Sequence, residues 1–391
     1  MNQPSSQLSS QPAAPDLLYS DVEDDLRSAV RGLLADRCPP TAILARIESG
    51  TPYDLELWRV LAADIGVAGL LVPEEFGGQG ASAREAAVVL EELGGAAAPV
   101  PFLGSAVLAT SALLAAPGAA GAAGAAGPLL KRLASGEATA ALAVPLPTAP
   151  GAAFPAGVRV AADGTLSGRI TSVGDASAAD VLVVPAVGPD GPGLYEVAAD
   201  AAGVGVKVPV SLDLTRPIAD LSFDAVAARL LVGPDAAEAA LHAALLTGAG
   251  LLASEQLGIA QWCLDETVRY LKERHQFGRP VGSFQSLKHR LADLWLEVVS
   301  ARAAARNAAD ALASGSSDVA VAVAVAQAHC ATTAVHAAEE CVQLHGGIGM
   351  TWEHPAHLYL KRAKADEIAL GTPGRHRAAL AELVDLPGAA G

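Results

Sequence analysis

Apolar residues recur at helical spacing through the first third of the chain. The runs fall around residues 21–34, 56–65 and 83–93, the last stopping at Gly94-Gly95. A period between three and four residues puts one apolar stripe on each helix, and a glycine pair is a common helix stop. Residues 129–134 predict one more short helix, closed by Ser135-Gly136. From 137 to 232 the pattern changes. Short apolar runs at 158–160, 166–170, 181–184, 194–197, 204–208 and 221–223 alternate with Gly, Pro and Asp, and Asp163-Gly164 marks a hairpin. Strands at this spacing predict a compact β-barrel or sandwich. Helical spacing then returns. Leu257, Ala260, Leu264, Val268 and Leu271 share one face, as do Leu287, Leu291, Leu294 and Val298, and a third helix is expected over 318–344. Helices of about 25–30 residues are long for a globular domain and predict a bundle. The fold class is therefore α+β. A helical domain over 16–136 precedes a β domain over 137–232 and a C-terminal four-helix bundle over 235–386. Residues 1–15 read as a disordered tail and 118–127 as an Ala/Gly connection.

Composition narrows the function classes. Lys and Arg total 26 against 42 for Asp and Glu, a net charge of −16. That balance disfavours nucleic acid and anionic lipid as partners. Mean hydropathy is +0.35, but alanine supplies much of it, and no run of about 20 strongly apolar residues is expected to cross a membrane. The N-terminus has no basic-then-apolar leader pattern, and Cys38, Cys263, Cys330 and Cys341 have neither metal spacing nor a disulfide framework. These features predict a reduced, cytoplasmic protein.

The chemistry concentrates in RHQFGRPVGSFQ, residues 274–285, between two of the predicted bundle helices. Gly278, Pro280 and Gly282 interrupt any continuous helix, so the segment reads as a turn. It carries a guanidinium (Arg274), an amide (Gln276) and an aromatic face (Phe277), a set suited to a diphosphate with a ring system attached. Downstream, QLHGGIGMTW at 343–352 puts Gly346, Gly347 and Gly349 at a helix end. Glycine lets backbone N–H groups approach an anion closely.

Both segments, in this order and with GVAGLLVPEEFGG at 66–78, resemble the acyl-CoA dehydrogenase family, and the resemblance covers nearly the whole chain. It implies the same helical, β and bundle architecture, an acyl-CoA substrate, FAD, a tetramer and an electron-accepting flavoprotein as partner. It also implies that Arg274, Gln276, Phe277, Gln285, Gln343, Gly346 and Gly347 reach the diphosphate and adenine half of a FAD held mainly by a neighbouring subunit. The family commonly removes an α-proton with a Glu just before Gly-Thr. Here Leu370 stands before Gly371-Thr372. The alternative base position, on the first bundle helix, falls near Gly248. The β-domain motifs are thinned too: residues 144–155 lack the expected acid and Gly-Ser pair, and in GRITSVG only Thr171 and Ser172 remain as flavin-ring contacts.

Substitute bases are Glu255, Asp366 and Glu367, and Glu255 has the most apolar neighbours in sequence, which would raise its pKa. Two functional readings follow from the resemblance. In one, the chain is a self-sufficient homomeric dehydrogenase with Glu255 or Glu367 as a displaced base. In the other it lends the cross-subunit half of a FAD site to a related chain that supplies the Glu, similar to actinobacterial heterotetramers acting on steroid side-chain thioesters. A non-catalytic acyl-CoA-binding scaffold is a third class. No metal is expected: Pro355 separates His354 from His357, which reads as a solvated loop. His345-Gly346-Gly347 lacks the Gly-x-Ser-x-Gly elbow of a hydrolase.

Overall fold

The computed structural model describes residues 15–116 and 124–387. The expected tail lies outside them apart from Pro15, as does most of the Ala/Gly connection. Helix α1 (Asp21–Arg37) begins at a reciprocal cap, in which Glu23 N–H donates to Ser20 Oγ and Ser20 N–H donates to the Glu23 carboxylate. Two otherwise unpaired amides are satisfied this way. Helices α2 (Pro40–Glu48), α3 (Leu55–Arg59), α4 (Ala83–Gly95), α5 (Thr110–Leu114) and α6 (Gly127–Ala134) complete the N-terminal region.

The middle region is a mixed sheet of β1 (Ala140–Leu142), β2 (Val158–Val160), β3 (Thr165–Gly174), β4 (Val181–Gly188), β5 (Gly191–Ala198), β6 (Val204–Lys207), β7 (Ile218–Ala227) and β8 (Arg229–Val232). The strand order is β6-β7-β3-β2-β4-β5-β8, with β1 parallel to β4 at residues 181–183. Strand β1 was not legible in the sequence, because all three of its residues are buried and it shows no alternation. Leu166, Ile170, Val173, Leu182, Val184, Leu221 and Phe223 form a core of the sheet's own.

The bundle comprises α7 (Ala237–Glu273), α8 (Gln285–Ser314), α9 (Val319–His345), α10 (Ala356–Ile368) and α11 (Pro373–Leu383). Helix α7 is buried along most of its length and joins the N-terminal region to the bundle. It crosses α4 at backbone contact. A Cβ on Gly258 would lie 1.9 Å from Glu91 O, and one on Gly94 2.2 Å from Glu255 O. The membrane expectation is corrected in one respect: α7 and the segment Val319–Met350 are long and apolar enough to span a bilayer. Most of α7's apolar stretch lies inside the protein, as a core helix's does.

Candidate active site and cofactor face

Between α7 and α8 the chain forms a small hairpin rather than a plain turn. Strand β9 (His275–Gln276) pairs antiparallel with β10 (Arg279–Pro280). Phe277 and Gly278 make the tip, at φ +56° and +74°. Two successive positive angles suit the two-residue turn of a twisted hairpin, and for Phe that backbone is strained. The residue is 90% exposed. Arg274 ends α7, donating its N–H to Tyr270 O at 2.8 Å, and its carbonyl accepts from Val281 N–H at 2.7 Å. The Arg274 side chain is exposed, and the adjacent acid, Glu273, pairs with Arg269 at 2.6 Å. Gln276 turns its amide back onto the His275 carbonyl at 2.9 Å. Gln285 opens α8, exposed, with its amide 3.4 Å from His289 Nε2.

The second motif lies at the end of α9. Gln343, Gly346 and Gly347 are exposed. Gly346 adopts φ +63°, and a Cβ at Gly346 or Gly347 would meet nothing within 4 Å. Gly349, by contrast, is required by packing, since a Cβ there would lie 2.4 Å from Val342 O. One contact brings the two motifs to the same end of the bundle. The ring of Tyr270, whose carbonyl caps Arg274, stacks on His345, the residue before Gly346, at 4.4 Å.

The inner site is closed. Leu370 is fully buried at φ +54°. Its N–H donates to Leu146 O at 2.7 Å, and Leu146 N–H donates to Ser172 O at 2.8 Å. The position of the usual base and both thinned β-domain segments are thus bonded to one another. Thr171 and Ser172 sit on a bulge of β3, with Thr171 exposed and Ser172 N–H already given to Asp220 at 3.0 Å. Gly248 converges on the same point. A Cβ there would lie 2.4 Å from Leu108 Cδ2 and 3.1 Å from Leu370 Cδ1. The cavity left among Leu108, Leu142, Val144, Leu146, Asp175 and Leu370 measures about 10 Å³, about the minimum that holds one water, and the Asp175 carboxylate there accepts from Tyr53 O–H at 2.7 Å and Gly104 N–H at 2.8 Å.

The substitute bases are corrected by their surroundings. Glu255 is 2% exposed, but its environment is ionic rather than apolar: Arg216 lies at 2.5 Å and Arg362 at 3.2 Å. Burial pushes its pKa up, the two guanidinium groups outweigh burial, and the net direction is down. Arg216 also pairs with Asp366 at 2.9 Å, and Arg362 with Asp213 at 3.1 Å. Burial and the Glu255 charge raise Asp366 well above the usual carboxylate range. Glu367 is half-buried and pairs with Lys364 at 2.7 Å. Sequence patterns missed this network, because Arg216 and Arg362 are far apart in the chain and only tertiary packing brings them to Glu255.

His354 is corrected as well. It is buried, not solvated, and its Nε2 lies 3.5 Å from Glu266 Oε1. With His345 these residues offer ligand atoms within 4.8 Å of one another. Two contacts oppose a metal there. Arg269 grips the Glu266 carboxylate through two nitrogens, and Ala356 N–H donates to His354 Nδ1 at 3.2 Å. The second contact leaves the proton of neutral His354 on the nitrogen facing Glu266.

The comparisons with known proteins agree with this architecture. Residues 237–384 match the model of the acyl-CoA dehydrogenase C-terminal domain, and residues 20–137 that of the N-terminal domain. The chain is 37% identical to acyl-CoA dehydrogenase IpdE2 of Mycolicibacterium smegmatis, covering 90% of this chain and 96% of that protein. Its fold is similar to that of the Tcur3481-Tcur3483 steroid ACAD, with a TM-score of 0.80 at 32% identity, covering 93% of this chain and 98% of that one. The ChsE4-ChsE5 complex from Mycobacterium tuberculosis gives a TM-score of 0.82 at 29% identity, covering 96% and 100%.

Proposed function

The chain belongs to the acyl-CoA dehydrogenase family, and from that premise we propose that it serves as the non-catalytic subunit of a heteromeric dehydrogenase. It lends the cross-subunit half of a FAD site to a related chain that carries the base. The observation behind this reading is the closed inner site. Leu108, Leu146 and Leu370 fill the space that both possible base positions face. A leucine accepts no proton, and a buried apolar contact leaves no room for an acyl chain beside it. Glu255 and Glu367 are engaged by arginines and a lysine, which disfavours the displaced-base alternative.

The outward residues fit the diphosphate and adenine half of FAD. Arg274 offers an exposed guanidinium fork, Phe277 an exposed ring, and Gly346 and Gly347 unobstructed backbone. Gln285 and Gln343 add exposed amides on the same end of the bundle. At the ring half, Ser172 N–H and the Leu370 backbone are already paired, which leaves exposed Thr171 as the one expected contact still open. FAD, bound in the joint site, would accept the hydride from the β-carbon of the acyl thioester. The substrate is an acyl-CoA, and the two-chain steroid ACAD among the similar structures supports a bulky ring-bearing acyl group.

The test is the flavin-to-chain ratio from a visible spectrum. Purified alone, the chain should retain no flavin. Co-purified with a related base-bearing chain, it should give one flavin per pair, and Arg274→Ala should abolish that binding. One flavin per subunit in the lone chain would sink the proposal.

A further inference from the structure

His345, His354 and Glu266 take no part in the proposed cofactor contacts, yet they lie directly beneath them. His345 joins three elements. Its Nδ1 lies 2.6 Å from Cys341 O within α9, its ring stacks on Tyr270 of α7, and His354 from the segment before α10 lies 4.1 Å away. The bond to a carbonyl makes Nδ1 the donor, so Nε2 faces Glu266 Oε1 at 4.0 Å. That Nε2 is buried and lacks a hydrogen-bond partner among the described residues. Gly346 and Gly347 follow His345 directly, and Arg274 follows Glu266 and Tyr270 on α7. The contact His345–Glu266 therefore spans the two segments that face outward.

We propose that His345 is a positioning residue for the cofactor, clasping the Gln343–Gly347 turn to Glu266 so that this turn and Arg274 meet FAD in one fixed register. The inference rests on the cross-subunit reading above. The charge state of the clasp follows from all the groups facing it. From α7 these are Glu266, held low first by Arg269, together with Tyr270 and Cys263; from α9 it is Cys341; from the loop it is His354. Burial opposes charge on His345, but Cys341 and Glu266 outweigh it and raise its pKa. Burial, then His345, pushes His354 down. The folded site thus favours a charged His345 facing a Glu266 carboxylate, with His354 neutral. A raised histidine contributes fully below its unfolded value, about 6.5, and the contribution is lost as pH rises through the folded value.

The experiment measures FAD affinity by flavin fluorescence in the co-purified complex, at pH 6 and pH 9. The variants are His345→Asn, which keeps a donor toward Cys341 O but cannot reach Glu266, Glu266→Gln from the opposite side, and Arg274→Ala. At pH 6 the first two should bind FAD roughly five- to tenfold more weakly than the parent. Toward pH 9 this difference should shrink, because the parent loses the same charge pair as pH rises through the folded value of His345. Unfolding midpoints identify any variant that fails to fold, and Glu266→Gln then carries the test. If Arg274→Ala loses FAD while both clasp variants follow the parent at both pH values, the clasp is wrong and the cross-subunit reading stands. If Arg274→Ala keeps full affinity, the cross-subunit reading falls and the clasp with it.

Discussion

The inner region around Leu370 and the outer face around Phe277 and Gly346 have opposite character. Around Leu370 side chains interlock, backbone groups are paired, and about 10 Å³ remains. Around Phe277 and Gly346 the chain displays an aromatic ring, a guanidinium and bare backbone to the outside. A self-contained enzyme would need the reverse at the inner end: a cavity and a proton acceptor. Here the nearby buried carboxylates serve as joints instead. Glu255 and Asp366 fix Arg216, from the β6–β7 connection, against α7 and α10. On the proposed cross-subunit reading, the chain acts through what it presents rather than through what it encloses.

The largest expected effect tests whether Glu255 is a joint or a base. Glu255→Gln leaves Arg216 and Arg362 short of a counter-charge, and should lower folding stability by about 3–5 kcal/mol in a denaturant titration. Turnover per bound flavin in the complex should not change; its loss in folded protein would restore Glu255 as the base. Next comes Gly248→Ala. Its new methyl meets Leu108 Cδ2 at 2.4 Å, and overpacking of that kind should cost about 1–3 kcal/mol. A neutral result would mean that the inner end has room to spare.

Asp366→Asn probes the sign of the buried proton. The folded Asp366 pKa is raised, first by burial and then by Glu255. An acid that binds its proton more tightly when folded makes stability decline as pH rises above the unfolded value of about 3.9. The Asn variant should therefore lose that decline, and gain on the parent in thermal midpoint between pH 4 and pH 8. A parallel shift at both pH values would refute the raised pKa. The smallest effect on folding belongs to Phe277→Ala, within about 0.5 kcal/mol for so exposed a ring. The same variant should weaken FAD retention in the complex. A large stability loss instead would make Phe277 a structural residue and blur the distinction between the ends.

Much was legible before any coordinates. Helical spacing gave the bundle because α7, α8 and α9 each bury a stripe, and the Asp163-Gly164 hairpin joins β2 to β3 as expected. That positions 370 and 248 carry no carboxylate was legible too. Glu255 misled the sequence reading because near neighbours such as Leu251 and Ile259 are apolar, whereas its partners Arg216 and Arg362 are remote in the chain. His354 misled it because proline beside a histidine suggests a loop, and burial against Glu266 comes from another helix.

The sequence by itself determined the order of elements, the family and the absence of a carboxylate at either usual base position, because periodicity and motif spacing are local properties of a chain. Only the tertiary structure decided that the inner site is filled, that Glu255 and Asp366 meet buried arginines, and that Arg274 and Gln343 share one end of the bundle. Those facts depend on contacts between residues far apart in sequence, where side-chain volume and charge pairing act across helices rather than along them.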